Sequence, residues 1–443
     1  RGRFYQPLGS KTKAYFTLGF KKTDPFYTNS DYDGYHVAGG VEREALGGIV
    51  NLDLWKHRAN AGLLSFDFFV NQLGRQNRGI NRAEISYERI ITEPFQFTLT
   101  GLFHRSAQTI NGYANEFKTV NDIGGGKADL AYNSDSLSMS LTSAYYNTRL
   151  YGHDSIEPSI NIYEHRVRID GHWNKISFET GIGYSWAGTD REAILPNADI
   201  RYNFTERNFV SLSLTRYRKS PDLYLLYYDD FVTGLGSNFL ESYHFLPASN
   251  LKSPVTTAAA VKTGAELSIF DTHIGFSVKN IEDQVKLAWY LPNPGETIVS
   301  PVNFDDRLFE IDAGFTSELG PFAMEMSATY RYWDDKYFDD GLEKGPAVLG
   351  FGRLALEKQL FIPDLFMGGS LDARASSRRD YRAIQVGLTD GFVIFNGRLV
   401  FRYKDFTFYL NDDNLAARQY YPLYPYPGTP RGVWWGFKWE FFD

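Results

Sequence analysis

The feature that most constrains this chain is an alternation of apolar and polar residues that recurs from one end to the other. From Phe95 to His104, Phe95, Phe97, Leu99 and Phe103 fall on one face of an extended strand, and Gln96, Thr98, Thr100 and His104 on the other. Leu137, Met139, Leu141 and Tyr145 alternate in the same way with Ser138, Ser140 and Thr142. Ile176, Phe178, Ile182, Tyr184 and Trp186 alternate with Ser177, Glu179, Gly181, Gly183 and Ser185. The pattern returns at Val210, Leu212 and Leu214, at Phe322, Met324, Met326, Ala328 and Tyr330, and at Val433, Trp435, Phe437, Trp439 and Phe441. Successive side chains of a strand point to opposite faces, so each segment is greasy on one side and polar on the other. No segment shows a helical period of comparable strength.

A soluble sandwich also alternates, and composition separates the two cases. Aromatic residues make up 16% of the chain, with 30 Tyr and 35 Phe. They concentrate at the ends of the apolar faces, as in the interfacial girdles of membrane barrels, whereas small aliphatic residues dominate a sandwich interior. The opposite faces are rich in Gly, Ser and Thr with scattered charges, which suits a water-filled or plugged lumen. The mean hydropathy of −0.35 and the charged fraction of 22% resemble a soluble protein, and no run of eighteen apolar residues forms a membrane-spanning helix. A barrel reconciles these values, because only every second residue of its strands meets lipid. The expected fold is all-β, a transmembrane antiparallel β-barrel of about 20–22 strands at roughly 20 residues per strand and connection. Residues 1–443 then form a single outer-membrane β-barrel domain, with membrane lipid as its partner and the bacterial outer membrane as its location.

Short turns at Asn133 to Ser136, Thr92-Glu93-Pro94 and Leu319-Gly320-Pro321 are expected on the periplasmic side. Longer connections, from Lys219 to Pro254, His104 to Lys118, Pro292 to Asp306 and Asp334 to Pro346, are expected to face the outside. The first residue, Arg1, shows no export signal, so the numbering reads as a mature or trimmed chain.

Catalytic motifs are absent from the sequence. Gly124-Gly125-Gly126-Lys127 lacks the spacing of a phosphate-binding loop and is read as a strand bend. There is no His-Glu-x-x-His pair, no Gly-x-Ser-x-Gly and no Cys, and the eight His are scattered. Of these, His153 lies with Asp154 in a connection, while His172 alternates with Arg166, Arg168 and Asp170 along a strand face. Neither an enzyme nor a cofactor or metal site is expected. The net charge of −7 argues against a nucleic-acid partner.

The candidate functional residues are charges that alternation places opposite the apolar face. A Lys or Arg toward lipid at the midplane costs about 2–4 kcal/mol, so these are expected in the lumen. They are Arg166, Arg168 and Asp170; Glu310 and Asp312; Glu325 and Arg331; Arg353 and Glu357; Asp372 and Arg374; and Arg398, Arg402 and Lys404. Both signs occur, which fits a hydrated pore lining, a docking face for a lumen-filling domain, or bracing of the wall. In the longest connection, Tyr224, Tyr227, Tyr228, Asp229 and Asp230 form an aromatic and acidic cluster that packs the loop or contacts a ligand.

The last segments carry a resemblance. Phe401 to Leu415, with Asn414-Leu415 closing the run, then Tyr420-Tyr421-Pro422, Pro427-Gly428 and the aromatic stretch Gly432 to Phe442, resemble the last three strands of TonB-dependent receptors. The turn Pro427-Gly428-Thr429-Pro430-Arg431 expands that family's Pro-Gly-Arg-like turn by two residues. Leu212 to Tyr224, with Arg218-Lys219-Ser220-Pro221, and Phe276 to Asp283 are similar to further strands of the same receptors. The resemblance implies energised uptake of a scarce solute, such as an iron chelate, cobalamin or a glycan. It also implies an N-terminal plug domain and a segment contacted by the TonB protein. Neither is evident here, because alternation begins by Ala14, Phe16, Leu18 and Phe20, and the chain ends on Asp443 where such barrels commonly end on an aromatic. Two functions stay open. One is transport of a solute with a plug supplied in some form. The other is a plugless barrel, occupied by a partner or an infolded loop, that serves as a channel, an export pore or the scaffold of a larger envelope complex.

Overall fold

A computed structural model describes residues 2–23, 31–62, 75–111, 117–151, 159–188, 192–219, 242–245, 250–293, 296–334, 345–381, 387–420 and 431–439. They form strands and turns with no helix. The first strands are β1 (Gly2–Pro7), β2 (Thr12–Thr23), β3 (Tyr32–Ala45), β4 (Gly48–Gly62), β5 (Arg75–Thr92), β6 (Phe95–Asn111), β7 (Phe117–Asn133) and β8 (Leu137–Tyr151). They continue as β9 (Ser159–Trp173), β10 (Ile176–Ala187), β11 (Ala193–Asn203), β12 (Phe209–Arg218), β13 (Ser242–Phe245), β14 (Val255–Leu267), β15 (Phe270–Asn293) and β16 (Glu296–Leu319). The last are β17 (Phe322–Trp333), β18 (Val348–Gln359), β19 (Leu365–Ser376), β20 (Arg379–Tyr381), β21 (Gly387–Thr389), β22 (Phe392–Tyr403), β23 (Phe406–Asp413) and β24 (Gly432–Trp439).

Omitting β13, β20 and β21, the other 21 strands form one up-and-down sheet in which each pairs antiparallel with the next in sequence. The three omitted strands belong to long connections: β13 adds in parallel to the outer half of β16, and β20 and β21 pair only with each other. An up-and-down run of 21 strands leaves β1 and β24 pointing the same way, and no pairing joins them among the described residues. Bacterial antiparallel barrels close on an even number.

The register places apolar residues beside apolar residues for many strands in succession. Leu130 of β7 pairs with Leu141 of β8, Leu141 with Val167 of β9, and Val167 with Ile182 of β10. One residue along, Asp129 pairs with Thr142 and Thr142 with Arg166. Leu141 and Ile182 are 50% and 55% exposed, so the apolar row is the open face. Only nine apolar residues are buried among the described ones, and the whole chain exposes 27448 Å². A compact monomer of this size exposes roughly 17,000 Å². The excess is what a wall one strand thick requires, because its greasy surface looks outward rather than into a core.

The two ends of the sheet differ. At one end the hairpins are tight: Leu46 and Gly47, at φ of 54° and 73°, join β3 to β4 in the left-handed conformation that two-residue hairpin turns favour. The turns expected at Thr92 to Pro94, Asn133 to Ser136 and Leu319 to Pro321 all lie at this end. At the other end lie the long connections, including those after Lys219 and Asp334.

Two expected loops are instead strand. The segment from His104 to Lys118 is mostly the paired tops of β6 and β7, with only 112–116 between them, and Pro292 to Asp306 belongs largely to the 24-residue strands β15 and β16. These hairpins extend past the apolar rows, so both faces meet water and the hydrophobic period that marks a strand disappears. Gly124-Gly125-Gly126 is not a bend either. It runs in register within β7, and the shifts of register on either side of it are elsewhere, at Ile90/Thr92 and in the β15–β16 pair. A Cβ on Gly125 would lie 2.2 Å from the Tyr145 carbonyl oxygen, which accounts for the residue without a bend.

The face assignment predicts opposite outcomes for neighbouring substitutions on β8. Leu141→Arg is expected to destabilise the chain folded in phospholipid vesicles by about 2–4 kcal/mol, and Ser140→Arg by well under half of that. Urea titration of the two variants measures the difference.

Candidate functional site

The polar face carries a lattice of ion pairs built by the register. Its densest part spans β15 to β22. Glu310 of β16 sits opposite Arg331 of β17, and Arg331 Nε donates to Glu310 Oε1 at 2.8 Å. Lys279 of β15 donates to the other carboxylate oxygen, Oε2, and Ser277 Oγ lies 3.5 Å from it. Glu310 is only 8% exposed, so two cations offset the cost of burying one carboxylate. One step toward the tight-turn end, His273 Nε2 lies 3.6 Å from Asp312. Glu325 pairs in register with Arg353, whose Nε lies 3.5 Å from Asp372 of β19. Lower on the same face, Arg402 of β22 bonds Glu357 of β18 at 2.7 Å and lies over the Phe366 ring at 4.6 Å. Arg398 lies over the Tyr409 ring at 5.8 Å. Arg374 occupies the same face of β19 as Asp372.

A second group lies on β9 and β10. Arg168 reaches Asp170 at 3.3 Å on its own strand and Glu179 at 2.9 Å on the next. Arg166 is beside them on the same face, opposite Gly183. Further round the sheet, Lys127 pairs with Asp129 at 2.8 Å, and Thr142 Oγ1 donates to Asp129 at 2.6 Å.

Thirteen of the fourteen charges selected from the sequence therefore share the face opposite the apolar rows. Lys404 is the exception. It occupies the two-residue turn between β22 and β23 at φ 49°, where no face is defined, because the strand ends one residue earlier at Tyr403. Tyr224, Tyr227, Tyr228, Asp229 and Asp230 lie outside the described residues. The sequence selection omitted Lys279, yet it alternates with Phe276 and Val278 on β15 and was legible by the same rule.

At the long-connection end, contacts are more specific. Arg75 forks onto Asp31 with bonds of 3.1 and 2.8 Å. The Arg75 hydrogen bond holds the Asp31 carboxyl below its usual range against a smaller opposing effect of burial. Its contribution is complete above the ordinary aspartate pKa and is lost as pH falls through the lowered one. Asn303 braces the bulge in β15: its Nδ2 donates to the carbonyls of Asp283 and Lys252 at 2.7 and 3.0 Å, and its Oδ1 accepts from Lys252 N at 2.7 Å. Asn414 does the same for the end of β23. It is 1% exposed at φ 53°, accepts from Arg418 N at 3.0 Å and donates to Arg418 O at 2.7 Å. Leu415 N then donates to Phe395 O at 2.8 Å. The Asn-Leu pair noted in the sequence is thus a chain-reversal device. Among the described residues, no group of three or more His, Asp or Glu is arranged to hold a metal ion.

No family sequence profile and no curated protein matches the chain. Solved structures do. The FrpB iron transporter from Neisseria meningitidis (F3-3 variant) superposes with a TM-score of 0.76 at 10% identity, covering 99% of this chain and 78% of that one. The copper transporter OprC gives 0.77 at 11% identity, with 97% and 77% covered. BauA, the ferric preacinetobactin receptor from Acinetobacter baumannii, gives 0.73 at 12%, with 99% and 77% covered. At this identity the likeness is one of fold, and the fold is the transmembrane antiparallel barrel that the alternation indicated.

The lattice makes a quantitative prediction. Glu310→Gln is expected to cost about 1.5–3 kcal/mol of folding stability, the range for hydrogen bonds to charged groups. In a double-mutant cycle with Arg331→Gln, the second substitution is expected to cost much less than it does alone, because its partner charge is already gone.

Proposed function

We propose that this chain is the membrane-spanning wall of a bacterial outer-membrane transporter of the TonB-dependent receptor kind, carrying a scarce solute through a lumen lined by the charged lattice. The observation that carries this reading is the superposition, over 97–99% of the chain, on an iron transporter, a copper transporter and a ferric siderophore receptor. The sidedness of the wall supports it. Apolar rows suit contact with hydrocarbon, while the opposite face offers both signs of charge to a hydrated path or to a folded element seated inside. The Asn414 device and the aromatic strand β24 support the family resemblance at the level of sequence. Metal chelates are the proposed substrate class, and the TonB protein is the proposed energy-coupling partner through a plug domain.

Cells lacking the gene are expected to accumulate less of at least one complex from a panel of radiolabelled iron and copper chelates, with uptake restored by the gene and abolished by a protonophore. Restored uptake that resists the protonophore would replace the energised receptor with a passive channel. Unchanged accumulation across the panel would contradict chelate transport.

A further inference from the structure

At the long-connection end, apolar side chains from distant strands meet on the inner side of the wall. Leu150 of β8 and Leu251, in the segment leading into β14, are buried together, and Ile160 of β9 and Val285 of β15 pack against them. The register turns Leu150 inward, since it keeps the parity of Thr142, and Ile160 stands opposite Thr148 on the same face. Six ladder steps separate β8 from β15, through β9, β10, β11, β12 and β14. At about 4.8 Å per step that is about 29 Å of wall, whereas packed side chains approach to about 4–4.5 Å. The cluster therefore bridges the mouth from inside and does not follow the wall.

The segment that supplies Leu251 is pinned at each residue. Lys252 exchanges backbone hydrogen bonds of 2.7 and 3.0 Å with the Asn303 side chain of β16. Ser253 Oγ accepts from Arg218 Nη2 of β12 at 3.1 Å, and Arg218 Nη1 donates to the Ser185 carbonyl of β10 at 3.2 Å. Pro254 O accepts from Lys219 N at 3.1 Å.

The wall on this side is covered. Ser185 and Ala187 of β10 and Ala193 and Leu195 of β11 share the inward face, yet they are only 4%, 4%, 6% and 9% exposed. Nearer the tight turns, on the same face of β9 and β10, the Arg168 and Glu179 side chains remain 45% and 38% exposed. The residue types change with the exposure: charged where the face is open, small or apolar where it is covered.

We infer that Leu150, Ile160, Leu251 and Val285 form a fixed partition of the outer mouth, which shuts the bay in front of β10 and β11 against solute and confines passage to the rest of the bore. The partition, and not strand number alone, then sets the size limit for what enters. The inference rests on the barrel wall and goes beyond the transport reading, because a receptor and a channel would be narrowed alike.

The chain has no Cys, so single thiols test the partition on intact cells. Ala193→Cys is expected to react slowly with a small charged methanethiosulfonate added outside. Adding Leu150→Ser and Leu251→Ser is expected to raise that rate at least about tenfold, equivalent to roughly 1.4 kcal/mol in the opening of the mouth. In a separate variant, Leu150→Cys with Leu251→Cys is expected to be joined by a short bis-maleimide, although 101 positions separate the two residues. Asp390→Cys, at a position 88% exposed, is expected to label equally with and without the two serines and so reports a folded chain at the surface. Fast labelling of Ala193→Cys behind the intact bridge, equal rates with and without the bridge, or a failed cross-link would each overturn the partition. Absence of label at Asp390→Cys would instead contradict the membrane wall on which the inference rests.

Discussion

Backbone hydrogen bonding between consecutive strands is the interaction on which every other feature of this chain depends. In hydrocarbon an unpaired N–H or C=O costs several kcal/mol, so a wall can cross a membrane only if each strand satisfies its neighbours. The antiparallel ladders from β1 through β24 do so with short hairpins at one end. Once they are fixed, the side-chain period of two sorts every residue to one face or the other. The outer rows from Leu130 to Ile182 and the inner lattice from Lys279 to Arg402 are two consequences of one register.

That dependence also sets how much was legible in the sequence. Leu141 beside Ser140, or Ile311 beside Glu310, announces both its strand and its face, because one side meets lipid and the other water. The tops of β6, β7, β15 and β16 did not announce themselves, because above the membrane both faces are wet and hydropathy carries no period. Lys404 was misplaced by the same rule applied one residue too far, past the end of β22 at Tyr403. Individual pairings were less legible still. Nothing local tells Glu310 that its partners are Lys279 and Arg331, since both lie more than twenty residues away along the chain and meet it only through the ladder.

The charged face has two levels of organisation. Around Glu310, burial makes the pairs structural, since removing the carboxylate leaves Lys279 and Arg331 without their shared counter-charge. Around Arg166, Arg168 and Arg374 the charges are more open and offer themselves to whatever occupies the interior. The proposed transport role calls for both, a rigid wall and a surface that a solute or a seated domain can engage reversibly. At the rim, Asn303 braces the bulge of β15 and the buried Asn414 turns the chain after β23, each through hydrogen bonds of its side-chain amide.

The central claim is that alternate residues of these strands face lipid. The chain has no Cys, so single cysteines introduced along β8 from Met139 to Tyr145 can each carry a fluorophore without background labelling. In vesicles containing a lipid-bound quencher, strong quenching is expected at 139, 141, 143 and 145 and weak quenching at 140, 142 and 144. Uniform quenching, or a period of three to four residues, would contradict the account.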